Sequence, residues 1–220
     1  MPQVLITGAN RGLGLEFARQ YAADGWEVVA TARQSSAELD ALGVRVEQLE
    51  MSDLDSVAKL GRSIDAPLDL LIANAGTYGP KAVADADDGR GWSETFAVNT
   101  IAPFLLAQSM LEPVKAAGGK LIGISTRMGS IADNSSGGSI AYRSSKAALN
   151  AAWHSLAIDI EGSGVVAAVL HPGWVETRMG GPSAPLAPQE SIAGMRRVIA
   201  GLRPEQSGGF FNYDGAPIPW

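Results

Sequence analysis

The stretch Val4-Leu5-Ile6-Thr7-Gly8-Ala9-Asn10-Arg11-Gly12-Leu13-Gly14 decides the fold. An apolar run over Val4–Thr7 reads as a strand, enters a turn with glycines at 8, 12 and 14, and gives way to a helical pattern over Leu13–Ala23. Glycines at a strand-to-helix turn let the backbone bend tightly and let a diphosphate approach the amides at the helix N-terminus. Strand, turn and helix each fall where such a motif needs them, so the segment predicts dinucleotide binding. The spacing is Gly-x-x-x-Gly-x-Gly, not the commoner Gly-x-Gly-x-x-Gly.

Outward from this turn the chain keeps a βαβα rhythm. Further strands are expected at Glu27–Thr31, Val44–Gln48, Leu68–Ala73, Lys120–Ser125 and Val165–Leu170, with a short seventh at Gly209–Asn212. Helical patterns cover Leu54–Ser63, Gly91–Ala117, Ile140–Glu161 and Pro188–Gly201, and Gly162 and Gly164 suit the end of the fourth of the five. This alternation predicts the α/β class: a Rossmann-type, doubly wound parallel sheet of about seven strands with helices on both faces. At 220 residues, without repeats or linkers, residues 1–220 are expected to form a single domain.

Composition removes several classes of function. A net charge of -6 argues against nucleic acid, which calls for clustered Lys and Arg. No apolar run is long enough to span a membrane, and the start is too short for a signal peptide, so a cytoplasmic location is expected. With no Cys there is no disulfide, no thiol nucleophile and no Cys-ligated metal, and two distant His residues show no metal spacing.

The end of the second strand carries no Asp or Glu to hold a ribose 2′-hydroxyl; it reads Thr31-Ala32-Arg33. Arg33, with Arg11 in the turn, is placed to clamp a 2′-phosphate, which favours NADP(H) over NAD(H). The second chemical signal is Tyr142-Arg143-Ser144-Ser145-Lys146, on a helical run. At spacing i, i+4 the phenol and the ammonium share a face, and a nearby cation favours phenolate. Such a pair makes a general acid for a carbonyl oxygen or a general base for an alcohol; on spacing alone it also fits an exposed aromatic beside a solvated charge.

Taken in order, these motifs resemble the short-chain dehydrogenase/reductase family nearly end to end. Thr7–Gly14, with Asn10 and Leu13, is similar to its cofactor turn, Asp53 to its adenine-binding Asp, and Asn74-Ala75-Gly76 to its structural Asn-Ala-Gly element. Asn99, Tyr142 and Lys146 match three of its catalytic tetrad, and Pro172-Gly173, Val175 and Thr177 match the segment that contacts the nicotinamide. The Tyr142–Asn150 segment and the tail Gly208–Trp220 resemble the branch of sniffer-like carbonyl reductases and bacterial C-factor proteins. The family's catalytic Ser stands three residues before a Gly; counting back from Gly129 gives Thr126, with Ser125 as the alternative. A Thr hydroxyl has the same donor and acceptor capacity, with a stiffer side chain.

The resemblance implies hydride transfer between a nicotinamide and a small-molecule carbonyl or alcohol. Tyr142 would be the acid, Lys146 would lower its pKa, Thr126 would hold the oxygen, and Asn99 would support a water next to Lys146. It also implies a substrate lid at about 178–190, where Arg178 is placed to pair with an acidic substrate, and a homodimer or homotetramer through the long helices. A nucleotide-binding signalling protein and an NAD-dependent alcohol dehydrogenase are the alternatives. The remaining residues have structural readings: His154 packed or solvated, His171 serving backbone geometry, and Trp92, Trp153 and Trp220 in the core or an interface. Trp174 is placed to wall a substrate pocket, and Asp85, Asp87 and Asp88 read as an exposed acidic loop.

Overall fold

The structure, a computed structural model, describes residues 1–64, 66–81 and 89–220; the acidic cluster Asp85, Asp87 and Asp88 lies outside the described residues. Among the described residues, seven strands form one sheet: β1 Gln3–Thr7, β2 Glu27–Ala32, β3 Arg45–Gln48, β4 Leu70–Ala73, β5 Lys120–Ile124, β6 Val166–His171 and β7 Phe210–Asn212. Their order is β3-β2-β1-β4-β5-β6-β7, and every pairing is parallel. The chain builds outward from β1 to β3, then returns to the other side of β1 with β4. That reversal opens a crevice at the carboxyl ends of β1 and β4, where ligands bind in open sheets of this kind.

Period-two alternation explains the two-sided core. Leu5 belongs to one buried cluster with Leu71, Leu106, Leu121 and Trp153, whereas its neighbours Val4 and Ile6 belong to another with Phe17, Ala18, Ile192 and Met195. Helices α1 (Gly12–Ala23) and α8 (Pro188–Gly201) therefore cover one face. Helices α3 (Leu54–Gly61), α5 (Ala102–Ser109) and α7 (Ile140–Asp159) cover the other. A one-turn helix, α2 at Ala37–Asp40, follows β2 and was not expected.

The helix expected over Gly91–Ala117 is instead a series. Helix α4 (Arg90–Phe96) passes into a π-helical turn at Ala97–Ile101, then α5, and after a break at Met110, α6 (Leu111–Ala117). Pro113 offers no N–H to the Ser109 carbonyl, which accounts for the break. The π turn surrounds Asn99, whose side chain is committed to a neighbouring loop, and π turns often mark working positions.

Helix α7 is held to the sheet through Trp153, which is fully buried and donates Nε1–H to the Leu121 carbonyl at 3.1 Å. Gly123 permits that approach, since a Cβ there would press on the indole ring at 3.2 Å. His154 faces the tail, with Nδ1 3.0 Å from the Gly208 carbonyl and its ring against Trp220. Among the described residues no helix is long and apolar enough to cross a membrane.

Candidate active site

The β1–α1 turn is built for close backbone approach. Gly8 and Gly12 have φ of +68° and +56°, and a Cβ on Gly14 would collide with the Gly8 carbonyl. No side chain caps α1 and no acidic residue lies in its first turn, so its leading N–H groups face the crevice without a competing carboxylate. Asn10 donates to the Gln34 carbonyl at 3.0 Å and ties the turn to the loop after β2. Arg11 is exposed, and Leu13 packs partly against the α1 core. This uncapped glycine cradle, flanked by Arg11 and Arg33, fits a phosphate-bearing dinucleotide.

Arg33 is exposed and lies 3.7 Å from Glu50, a carboxylate that sequence reasoning passed over. Its signal was positional: Glu50 follows β3 by two residues, and the Leu49 N–H bonds the Ala32 carbonyl, so the loops after β2 and β3 lie side by side. Asp53 Oδ1 accepts the N–H groups of Asp55 and Ser56 and caps α3, so that oxygen has a structural job.

After β4, Asn74 donates to the Thr7 carbonyl at 2.9 Å, and Thr7 Oγ1 accepts the N–H groups of Asn74 and Ala75. Gly8 and Ala75 touch so closely that a Cβ on Gly8 would lie 3.0 Å from the Ala75 Cα. Gly76 sits between Asn99 and Lys146: a Cβ there would be 3.3 Å from Asn99 Oδ1 and 3.7 Å from Lys146 Nζ. Asn99 itself accepts the Thr77 N–H, and donates to the Thr77 carbonyl and to Ser145 Oγ. Its amide thus holds the loop that Gly76 begins.

Tyr142 and Lys146 lie one turn apart on α7 and are 8% and 4% exposed, which removes the reading of a surface aromatic beside a solvated charge. Gly129 lets the 3₁₀ turn Arg127–Gly129 lie on the helix, since a Cβ there would sit 3.0 Å from the Lys146 backbone. Lys146 Nζ donates to the Ile124 carbonyl at 2.8 Å, and burial brings its pKa down to about 8. The expected fall of the Tyr142 pKa toward neutrality is not what the structure shows, because its net shift is upward. Burial pushes the phenol above its ordinary value, the neighbouring Tyr78 phenol adds to this, and a hydrogen bond from Thr126 opposes both.

Thr126 and Ser125 part company. Ser125 Oγ donates to Asn150 Oδ1 at 2.5 Å inside the α7 interface. Thr126 Oγ1 accepts the Met128 N–H at 3.2 Å and serves the Tyr142 phenol. Asn150 was read only as the end of the Tyr142–Asn150 segment and given no role, although it lies four residues past Lys146 on the same helical face. Ser145, quoted between Tyr142 and Lys146, was likewise given no role; its hydroxyl joins Asn99 to the Tyr142 carbonyl.

The segment after β6 packs against the start of α8, the C-terminal tail and the first turn. Gly173, at φ +84°, leaves space for Leu186 and Tyr213, and the Pro172 carbonyl accepts Ser191 Oγ–H at 2.6 Å. Val175 is buried and pairs with Leu186; Thr177 reaches the first turn, where a Cβ on Gly12 would be 3.7 Å from its methyl. Residues 178–187 fold back on themselves, with Trp174 Nε1–H donating to the Gly180 carbonyl at 2.8 Å, and α8 begins at Pro188. Trp174 and Arg178 are exposed on this segment. Among the described residues no cluster of His, Asp and Glu is placed to hold a metal.

Comparison with known proteins agrees with this geometry. C-signal of Myxococcus xanthus is 44% identical over 155 residues, covering 70% of this chain and 93% of that protein. The carbonyl reductase Sniffer of D. melanogaster superposes with a TM-score of 0.92 at 34% identity, over 100% of both chains. The NADPH-bound carbonyl reductase from chicken fatty liver gives 0.88 at 32% identity, over 100% of this chain and 99% of that one. The short chain dehydrogenase family model matches residues 2–185, and with a seven-stranded parallel sheet ending in this crevice, the chain belongs to the short-chain dehydrogenase family.

Proposed function

We propose that the protein is an NADPH-dependent oxidoreductase that reduces an aldehyde or ketone to the alcohol, with Tyr142 as general acid. The observation that carries this reading is the buried Tyr142–Lys146 pair with Thr126 at the phenol, next to the uncapped glycine turn. Gly8, Asn10, Gly12, Leu13 and Gly14 would hold the diphosphate and Arg11 and Arg33 the 2′-phosphate, with Glu50 and Asp53 on the adenosine side. Asn74, Ala75, Gly76, Pro172, Gly173, Val175 and Thr177 would frame the nicotinamide end. The bound cofactor supplies the hydride that forms the new C–H bond.

The chain's own residues manage the oxygen. Thr126 holds the carbonyl oxygen by hydrogen bonding and so orients the carbonyl carbon toward the nicotinamide. As the C=O π electrons move onto oxygen, Tyr142 gives up its proton and the alcohol forms. The buried phenol is protonated at neutral pH and so holds the proton that it gives to the oxygen as negative charge develops there. The phenolate left behind is stabilised by the Lys146 ammonium, which at a pKa of about 8 is mostly charged at pH 7. Asn99 fixes the loop between them through Thr77.

The folded-back 178–187 segment supports a fairly open substrate side, suited to compact carbonyls; Arg178 gives it a cation for acidic ones. Exposed Trp92, Ile101, Ile140 and Ile158 on α4, the π turn and α7 support pairing of copies through these helices. A signalling role with incidental turnover is the second reading, favoured by the similarity to C-signal.

The test is NADPH consumption over a panel of aldehydes, ketones, quinones and keto acids, with Tyr142→Phe as the blank. We expect turnover that drops at least about 100-fold in the variant while NADPH affinity holds. Equal turnover by both proteins would sink the assignment of Tyr142. No turnover by wild type, with tight NADPH binding, would favour the signalling reading.

A further inference from the structure

One aromatic residue in the crevice has no counterpart among the motifs. Tyr78 follows Asn74-Ala75-Gly76-Thr77 and lays its ring on Tyr142, with centroids 4.4 Å apart and planes 29° apart. Its hydroxyl reaches Met128 Sδ at 3.9 Å, in the 3₁₀ turn beside Thr126. Lys81 Nζ stands 5.2 Å from its ring centroid.

The backbone on either side of Tyr78 is clamped. Thr77 is held at both its N–H and its C=O by Asn99, each at 2.8 Å. Gly79, at φ +63°, lies so close to α4 that a Cβ would collide with the Thr95 hydroxyl, which is itself bonded to the Gly91 carbonyl at 2.6 Å. The backbone that carries the Tyr78 ring is therefore held in place on both sides.

We propose that Tyr78 is a positioning residue for Tyr142: its stacked ring fixes the orientation of the phenol and keeps water from it. The catalytic half of this inference rests on the reading of Tyr142 as general acid; the physical half does not. Among the described residues, four groups bear on the phenol. Tyr78 faces it from the loop after β4 and Thr126 from the turn after β5; Lys146 lies one helical turn along and bonds Ile124, and Lys81 lies beyond Tyr78. The Tyr78 ring covers the phenol in place of water, and excluding water favours the uncharged form. Stacked aromatic pairs are also stabilised beyond their buried area, which favours a single ring orientation.

The experiment is a tyrosine ¹³C NMR titration of the full chain, with the Tyr142 resonance assigned by its loss in Tyr142→Phe. Wild type, Tyr78→Phe and Tyr78→Ala are compared, and circular dichroism and NADPH binding establish that each is folded. Tyr142 should titrate above its usual ~10 in wild type and in Tyr78→Phe, which keeps the stack, and should fall by about one unit or more in Tyr78→Ala. In parallel, kcat for a small aldehyde should fall about ten-fold in Tyr78→Ala with KM within about two-fold, and Tyr78→Phe should restore most of it. An unchanged Tyr142 titration in Tyr78→Ala, or equal losses in both variants, would overturn the proposal. A Tyr142 titration that moves as expected in a protein whose Tyr142→Phe variant turns over normally would uphold the positioning role and fail only the catalytic reading.

Discussion

Thr126 and Ser125 are adjacent in the chain, yet extended backbone sends their hydroxyls to different surroundings, one to the Tyr142 phenol and the other to Asn150. That divergence makes their substitutions distinguishable. Thr126→Ala should lower kcat by about 100-fold, the usual effect of losing one oriented donor, with little change in melting temperature. Ser125→Ala should do the reverse, leaving Asn150 Oδ1 without its buried donor and lowering stability by about 1–3 kcal/mol while kcat stays within a few-fold. Steady-state kinetics and denaturant unfolding on the two proteins check both. Counting back from Gly129 favoured Thr126 and left Ser125 as the alternative; what occupies Ser125 was not legible, because it depends on where α7 presents Asn150. Glu50 and Tyr78 were missed for a related reason, since each acquires its role by facing a residue distant in the chain, Arg33 and Tyr142 respectively.

At the scale of elements, the β1–α1 turn was the most legible part of the molecule because its geometry is local. Glycines 8 and 12 take left-handed backbone, and Gly14 lies directly against the Gly8 carbonyl. Gly14→Ala should therefore force the turn apart, abolishing NADPH binding in a fluorescence titration and lowering the melting temperature. A variant that binds NADPH normally would refute the close-approach account. The Gly91–Ala117 segment was read less well. Its break at Met110 had a local signal in Pro113, but the π turn at Ala97–Ile101 arises from Asn99 reaching across to Thr77, a tertiary contact with no local signature. The short α2 helix was overlooked because a single turn carries no apolar period to detect.

Over the whole molecule, the pH dependence of stability carries a traceable signature from His171 at the end of β6. Burial, aided by the charge of Arg127, lowers its pKa from 6.5 to about 4, and its Nδ1 is buried with no partner. The unfolded chain takes up this proton near pH 6.5 and the folded chain only near 4, so the contribution is fully present above 6.5 and lost as pH falls to about 4. Denaturant unfolding at a series of pH values should find wild type losing up to about 1.4 kcal/mol per pH unit more than His171→Asn across that window. Parallel curves would mean that His171 titrates normally. By itself the sequence determined the sheet and its two covered faces, because alternating apolar runs and glycine turns are set by neighbours in the chain. It also determined the family to which the motifs belong. Only the tertiary structure decided that burial holds the Tyr142 phenol above its ordinary pKa despite Lys146, and that Thr126 rather than Ser125 meets the phenol. The same is true of Tyr78 on Tyr142. Desolvation and stacking depend on what the folded chain brings in from a distance, and no local spacing encodes that.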